Sequence, residues 1–404
     1  MTTARLERLK RRGLRPGLER IRALLARLDH PERAFRVVLV GGTNGKGSTA
    51  RALAALLQAA GERVGLFTSP HLLRVGERVE VNGRQITDAE LAALLERSWA
   101  HVEAVEASYF EAIAALALAH FAERRVDTAV LEVGLGGRFD AVNASEPVLS
   151  IVTNVALDHT DWLGPTLADV AREKAGILRP GRPALTAARG DGWARLRAEA
   201  RARGVRLEQV LPGCAEPQGY GVAFGLSRNV YGAPLMGVHQ ADNLALAVRA
   251  ARLLGAGGPA IRRGLARVRH PGRLSYLPDR RLLLDGAHNP AGVRALARAL
   301  EDYFPASPKT LVFAVSRDKD VAAMAAELRG RFREVVLTRY PGERAADPKT
   351  LVRFFPGAQI EPDPDRALAR ALAARPAGGL VVAAGSLYLV AELLRSADAA
   401  DVQA

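Results

Sequence analysis

The run Val40-Gly41-Gly42-Thr43-Asn44-Gly45-Lys46-Gly47-Ser48-Thr49 has the chemistry of an anion cradle. Glycines let a backbone bend tightly and turn successive N–H groups toward a phosphate. A helix starting at the end of the run would add a favourable partial charge. Lys46 would neutralise β/γ-phosphates, and the Ser48 hydroxyl just beyond it would face Mg²⁺. The match to the general phosphate-loop pattern is imperfect. That pattern has glycine where Val40 stands, and a hydroxyl residue directly after the lysine, where Gly47 intervenes. The bland alternative is an unrelated glycine turn, and a lysine flanked by glycines between an apolar run and a helix weighs against it. The chain also uses arginine almost wherever a cation is wanted, so Lys46 and Lys174, each inside a glycine-containing motif, stand out.

A second group of residues has metal-binding character. Glu132 ends the apolar run before Val133-Gly134-Leu135-Gly136-Gly137-Arg138-Phe139-Asp140, and is a plausible hard ligand for Mg²⁺. Its alternative is a carboxylate satisfied by loop N–H groups. His159, in Leu157-Asp158-His159-Thr160-Asp161, follows the next apolar run and is a second candidate ligand. Lys174, in Glu173-Lys174-Ala175-Gly176-Ile177, closes a helical stretch with Gly176 as its stop. A lysine there is ordinarily just favourable charge placement.

These residues need a scaffold that delivers them to one edge. Short β-rich runs alternate with amphipathic stretches, the order of an α/β protein with a mainly parallel sheet. Strands are predicted over 36–40, 64–67, 128–132 and 148–153. Helices are predicted from Leu14 to Leu25, from about Ser48 to Ala60, and over 88–106, 109–124, 167–175, 240–254 and 259–267. From about Arg273 a smaller doubly wound pattern follows, with strands over 281–284, 310–314, 334–337 and 380–384. Helices lie between them and a last one begins near Leu387. His270-Pro271-Gly272-Arg273 reads as a hinge. The expected organisation is therefore an N-terminal P-loop-containing mononucleotide-binding domain over 1–272 and a smaller C-terminal Rossmann-like α/β domain over 273–404. In parallel sheets the carboxyl ends of the strands face the ligand crevice, which puts Glu132, His159 and the glycine loop at one edge.

Composition narrows the partners. Hydrophobic residues make up 49% of the 404 and charged residues 25%, as expected of a soluble globular protein. The net charge of +14 favours anionic partners. It is spread as arginine over helix faces, and aromatics are only 5%, so no stacking platform for nucleic acid is expected. The single cysteine, Cys214, excludes an internal disulfide and fits a reducing, cytoplasmic setting. Met1 to Arg15 is basic without an apolar core, so no secretory signal is expected, and no apolar run suits a membrane span.

In this order the motifs resemble the folylpolyglutamate synthase/dihydrofolate synthase family of the Mur ligase superfamily. The resemblance rests on Gly42 to Ser48, Thr68-Ser69-Pro70-His71-Leu72, Glu132 to Arg138, Asp158-His159, Glu173 to Gly176, His239-Gln240-x-x-Asn243, Pro271-Gly272-Arg273, Asp285-Gly286-Ala287-His288-Asn289-Pro290 and Gly385-Ser386-Leu387-Tyr388-Leu389. It implies an ATP-dependent ligase that couples L-glutamate to dihydropteroate, a reduced folate or both, working between its two domains as a monomer. Thr43, Asn44, Gly45, Lys46, Gly47 and Ser48 would hold ATP phosphates, with Asn243, Arg273 and Asp285 as further ATP contacts. Ser69, Glu132 and His159 resemble Mg²⁺ ligands, with Ser48 nearby. Lys174 matches a lysine that the family carbamylates, whose anionic oxygens would suit a second Mg²⁺. Ser69, Pro70 and His71 resemble the folate loop, Phe110 and Glu111 the pterin-side helix, and Arg138 faces the same site. Gly17, Leu18, Glu19 and Arg20 resemble the dihydropteroate contact of bifunctional members. His288 and Ser386 are expected to hold glutamate or the tetrahedral intermediate.

There are departures. Leu39-Val40-Gly41-Gly42 stands where the family has His-Val-Ala-Gly. Ala114 replaces a threonine of the pterin helix, and Phe139 and Val142 replace Leu and Thr after Arg138. Two rivals remain: another Mur-type ligase acting on a cell-wall precursor, and a non-catalytic nucleotide-binding module.

Overall fold

The computed structural model describes residues 2–13 and 15–396. The chain divides into two compact units. The first comprises Met1–Cys214, Phe224–Tyr231 and Asp242–Val268, and the second Ala215–Ala223, Gly232–Ala241 and Arg269–Ala404.

The first unit is built on eight strands: β1 (Arg36–Gly41), β2 (Val64–Phe67), β3 (Val79–Val81), β4 (Arg84–Gln85), β5 (Thr128–Glu132), β6 (Leu149–Val152), β7 (Ala184–Thr186) and β8 (Leu207–Gln209). Their order is β4-β3-β2-β5-β1-β6-β7-β8. All neighbours from β2 to β8 run parallel, and β3 and β4 add an antiparallel edge. Near-continuous apolar runs such as Val37–Val40 are buried, as a sheet covered on both faces requires. Val40 lies beside Glu132, Gly41 beside Val152 and Phe67 beside Leu131, so the carboxyl ends of β1, β2, β5 and β6 form one edge.

Sequence spacing puts a helix over Leu14–Leu25, but the helix runs over Glu19–Arg27. Leu14 lies outside the described residues. Gly17, at φ 129°, holds a backbone conformation that a helix cannot use. Capping boxes start the helices Asp88–Ala104 and Tyr109–Glu123, from Thr87 with Glu90 and from Ser108 with Glu111.

Between the two large sheets in sequence lie three paired strands: β9 (Cys214–Gln218), β10 (Gly221–Leu226) and β11 (Asn229–Ala233). The second unit contains β12 (Ser275–Leu277), β13 (Leu282–Leu284), β14 (Lys309–Phe313), β15 (Glu334–Leu337), β16 (Gln359–Ile360) and β17 (Leu380–Ala384), in the order β12-β13-β17-β14-β15-β16. Only the β12–β13 pair is antiparallel. Proline at the first turn and a side-chain cap fix two helix starts, Asn289 before Pro290 and Asp363 before Pro364. Among the described residues no helix is long and apolar enough to cross a membrane.

Candidate active site

The glycine loop joins β1 to the helix Lys46–Ala59, as its sequence requires. Two of its glycines have no substitute. Gly42 and Gly45 have φ of 135° and 84°. A Cβ on Gly42 would lie 1.8 Å from Thr153 Oγ1, and one on Gly45 would lie 2.1 Å from Asn243 Oδ1. Asn243 is therefore packed on the loop. The loop is also tied to the chain after β6. Thr43 N–H donates to Asn154 O at 3.1 Å, Asn44 N–H to Asn154 Oδ1 at 3.0 Å, and Thr153 Oγ1 to Asn44 O at 2.6 Å. Lys46 Nζ donates to the carbonyls of Gly42 and Thr43, each at 3.1 Å, so its charge sits over the loop.

Glu132 is buried at the end of β5, and its Oε2 accepts the Ser69 N–H at 2.9 Å. These two candidate ligands are thus in contact. Three residues beyond Ala156, whose N–H and carbonyl both bond Thr43 Oγ1 at 3.0 Å, His159 turns left-handed at φ 51° and starts the short helix Thr160–Leu163, its imidazole about one-third exposed. Ser48 is buried in the first turn after the loop. Among the described residues no three His, Cys, Asp or Glu side chains cluster for a metal. One buried carboxylate, one imidazole and serine hydroxyls still fit Mg²⁺, which keeps waters and takes substrate phosphate oxygens instead of filling an all-protein cage.

Lys174 is not an exposed charge at a helix end. It is buried, and its amine is pushed down to about 7, first by burial and then by the charge of Lys46, against Asp158 and Glu173. That coupling sets it in the same electrostatic neighbourhood as the glycine loop and the His159 segment. Gly176 caps the helix Leu167–Ala175, with a right-handed φ of −62°. It is glycine because a Cβ would lie 2.4 Å from Arg138 Cα.

Beside this edge lies a pocket of about 230 Å³ lined by Arg15, Pro16, Ser108, Phe110, Glu111, Leu135, Gly136, Phe139, Asp140, Ala141, Trp162, Leu163 and Glu173. Phe110 and Glu111 are among these residues. Glu111 also has structural tasks: Oε2 accepts the Ser108 N–H at 2.7 Å, and Oε1 lies 3.2 Å from Arg20 Nε. That ion pair ties the Gly17–Arg20 segment to the pocket helix. Arg138 is not among the lining residues; its guanidinium lies over the Phe139 ring, 4.7 Å from the centroid. His71 accepts from Arg78 Nε at 2.8 Å through Nδ1.

Sequence reasoning missed Asp140, Phe139, Trp162 and Glu77. Asp140 Oδ2 accepts the N–H groups of Gly134 and Leu135, each at 2.9 Å, and Oδ1 accepts that of Val142 at 3.1 Å. Burial outweighs these bonds and raises its pKa to about 6. Glu77 gathers the N–H groups of Leu72, Leu73 and Arg74 at 2.7–2.8 Å and so shapes the Ser69–Leu72 loop. No periodicity marks either acid. An Asp before small residues is the one local hint, for a turn at Asp140.

In the second unit, Asp285 follows β13. Its oxygens accept from Leu274 N at 2.8 Å and Ala287 N at 2.9 Å. Burial raises its pKa, against the pull of Arg273. His288 Nδ1 lies 2.8 Å from Gly286 O. A carbonyl only accepts, so Nδ1 carries the hydrogen and Nε2 the lone pair in the neutral ring. Ser386 follows β17 and is buried. His239 is half-buried beside Arg273, and loss of solvation followed by the Arg273 charge pushes its imidazole down to about 4.

Two family models match: the Mur ligase middle domain over residues 40–208 and the Mur ligase glutamate ligase domain over 272–387. A dihydrofolate synthase/folylpolyglutamate synthase of Bacillus subtilis is 34% identical, with 94% of this chain and 95% of that protein covered. The structure of Escherichia coli FolC in complex with DHPP and ADP superposes with a TM-score of 0.90 at 31% identity, covering 98% of each chain. A bifunctional folylpolyglutamate synthase/dihydrofolate synthase with Mn, AMPPNP and L-glutamate bound superposes at 0.88 with 32% identity, over 98% of this chain and 97% of that one. With the glycine loop, the Glu132–Ser69 contact and the buried Lys174 in place, the chain belongs to the folylpolyglutamate synthase/dihydrofolate synthase family of Mur-type ligases.

Proposed function

We propose that this protein joins L-glutamate by an amide bond to the carboxylate of dihydropteroate, a reduced folate or both, using ATP. One observation carries the reading. The Lys46 loop, the Glu132–Ser69 pair and the buried Lys174 share the sheet edge that borders an apolar pocket containing Asp140.

A carboxylate does not react with an amine at neutral pH, because its leaving group is poor. Transfer of the γ-phosphoryl group of ATP to a carboxylate oxygen gives an acyl phosphate and ADP. The glutamate amine then attacks the acyl carbon, and phosphate leaves with its bonding electrons. The first step brings two anions together, and Lys46 is placed to screen them. Thr43 to Ser48 take the ATP phosphates, with Asn243, Arg273 and Asp285 as further contacts. Ser48, Ser69, Glu132 and His159 would hold Mg²⁺, which supplies charge neutralisation between phosphate oxygens when bound.

At about 7, the Lys174 amine is partly neutral at working pH, and the neutral amine is the form that adds CO₂. A carbamate there would offer anionic oxygens for a second ion. The pocket is smaller than the ~300–1,000 Å³ of typical ligand sites, so it takes one end of the acid, the ring. Phe110, Phe139 and Trp162 supply apolar walls, and Asp140 a hydrogen-bonding carboxyl for the ring edge. Gly17 to Arg20, Ser69 to His71, Glu111 and Arg138 complete the acid's surroundings, and His288 and Ser386 take glutamate. The Gly17–Ile21 segment favours dihydropteroate as well as folate.

The test is ADP release by purified protein with glutamate plus dihydropteroate or tetrahydrofolate, each omitted in turn. Release should need both the acid and glutamate. Release without either, or only with a UDP-sugar acid, would overturn the reading.

A further inference from the structure

Three polar side chains at the carboxyl edge of the second sheet form a chain of hydroxyls. Phe313 of β14 lies in register with Leu337 of β15 and Ala384 of β17, so the loops that follow leave the sheet side by side. They carry Ser316, Tyr340 and Ser386, which are 7%, 2% and 3% exposed. The Tyr340 phenol lies 2.5 Å from Ser316 Oγ and next to the Ser386 side chain. Ser386 Oγ accepts the Tyr388 N–H at 3.1 Å, and the Tyr388 ring packs on that of Tyr340 with centroids 5.2 Å apart. Ser316 is held from its other side. Its backbone bridges Ala345, and the flanking Arg317 and Val315 bond Arg344 O and Ala346 N, each at 2.9 Å.

The place is telling. β17 lies between β13 and β14. The helices after β13 and β14, Pro290–Tyr303 and Val321–Leu328, pack on one another, whereas the helix after β17, Leu387–Ser396, packs on Pro364–Ala373. The chain thus leaves β17 toward one face and its neighbours toward the other. Open α/β sheets place their ligand crevice at such a switch.

A hydroxyl has one hydrogen to give and two lone pairs. An amino-acid carboxylate can only accept, so Ser386 must spend its hydrogen on the substrate. A hydrogen bond from the adjacent Tyr340 to Ser386 would then run from phenol to serine, and the observed bond between Ser316 and Tyr340 from serine to phenol. We infer that Tyr340, oriented by Ser316, is a positioning residue for the amino-acid substrate: it donates to Ser386 Oγ and so turns the Ser386 hydrogen toward a carboxylate of the incoming glutamate. This rests on the reading that Ser386 takes glutamate. Burial raises the phenol's pKa, which keeps it a donor.

Steady-state kinetics of Tyr340→Phe, Ser316→Ala and Ser386→Ala, with each substrate varied in turn, test it. Phenylalanine keeps the ring and its packing on Tyr388, and removes only the hydroxyl. Tyr340→Phe and Ser316→Ala should each raise the glutamate KM roughly threefold to tenfold, the worth of one ordinary hydrogen bond. The KM values for ATP and the pterin acid, and kcat, should stay within about twofold. Because the two act in series, the double variant should be no worse than Tyr340→Phe alone. If Ser386→Ala leaves the glutamate KM unchanged, the underlying reading of Ser386 fails. If Ser386→Ala raises it and the other two do not, this inference alone fails. Equal rises in all three KM values with a falling Tm would make Tyr340 a packing residue and also overturn it.

Discussion

Around the carboxyl edge of the first sheet stand two helix-borne lysines, a buried glutamate at a strand end and left-handed glycines. At the same edge of the second sheet the loops carry hydroxyls, an imidazole and an aspartate whose oxygens bond backbone N–H groups. Both edges come from parallel strands in register, so the scaffold is shared and the furnishing differs. Cations suit a polyanion whose charge grows during reaction. Hydroxyls and an imidazole suit a zwitterionic amino acid that must be oriented and then released.

Removing charge from the first edge is the harshest way to break this contrast. Lys46→Ala and Lys174→Ala should each lower kcat by roughly 10²–10³ with circular dichroism unchanged, the usual cost of losing one preorganised electrostatic partner. Added acetate or formate should partly restore Lys174→Ala. Full activity in that variant without supplement would rule out an essential carbamate.

Asp140 allows a pH test of the pocket. Its folded pKa of about 6 lies above the ordinary 3.8. The stability this group contributes is therefore fully present below the unfolded value and is lost as pH rises through 6. Relative to Asp140→Asn, the wild-type protein should gain stability as pH falls from 7.5 to 5, by about 1.4 kcal/mol, the worth of the one pKa unit between 6 and 5. Chemical denaturation of both proteins across that range measures it, and parallel curves would show that Asp140 ionises as it would in water.

Gly45→Ala tests the loop's geometry. A left-handed alanine costs about 1–2 kcal/mol, and its Cβ would also meet Asn243. Thermal melting should show a clear drop and ATP binding should weaken. Asn243→Ala in the same chain should restore only the part due to the clash. On the second edge, His288→Ala should raise the glutamate KM about tenfold, near 1.4 kcal/mol, and leave ATP binding alone. A normal kcat and glutamate KM would remove His288 from the site.

The first edge was legible because its signals are local. Val37–Val40 is an uninterrupted apolar run, and ten residues from Val40 hold the whole loop. Ser316, Tyr340 and Ser386 are far apart in sequence, and only the strand order brings them together, so no window could show them. Gln240–Leu253 announced itself by periodicity, whereas β9 did not. Cys214–Gln218 is exposed throughout, and an edge strand without a buried face has no alternation to read. The hairpin of β3 and β4 and the helix Gly190–Ala202 were missed for related reasons: two or three residues per strand, and a helix that opens on glycine and aspartate. Asp140 lines the pocket from a loop and Trp162 from a four-residue helix, where type and spacing carry no face.

The mildest perturbation bears on how the acid pocket is assembled. Glu111 is nearly buried, and its Oε1 has no hydrogen-bond partner beyond the ion-pair contact with the partly exposed Arg20. Arg20→Ala leaves the capping bond from Ser108 to Oε2 in place, so the helix Tyr109–Glu123 should survive. What is lost is the tie between that helix and the chain running from Arg15 to Arg20. Arg20 is partly exposed and the pair is screened, so the cost should be about 1 kcal/mol. It should appear as a several-fold rise in the KM for dihydropteroate, with ATP and glutamate unaffected. A smaller rise for tetrahydrofolate than for dihydropteroate would assign the Gly17–Arg20 segment to the shorter acid. Equal rises would make it a wall common to both.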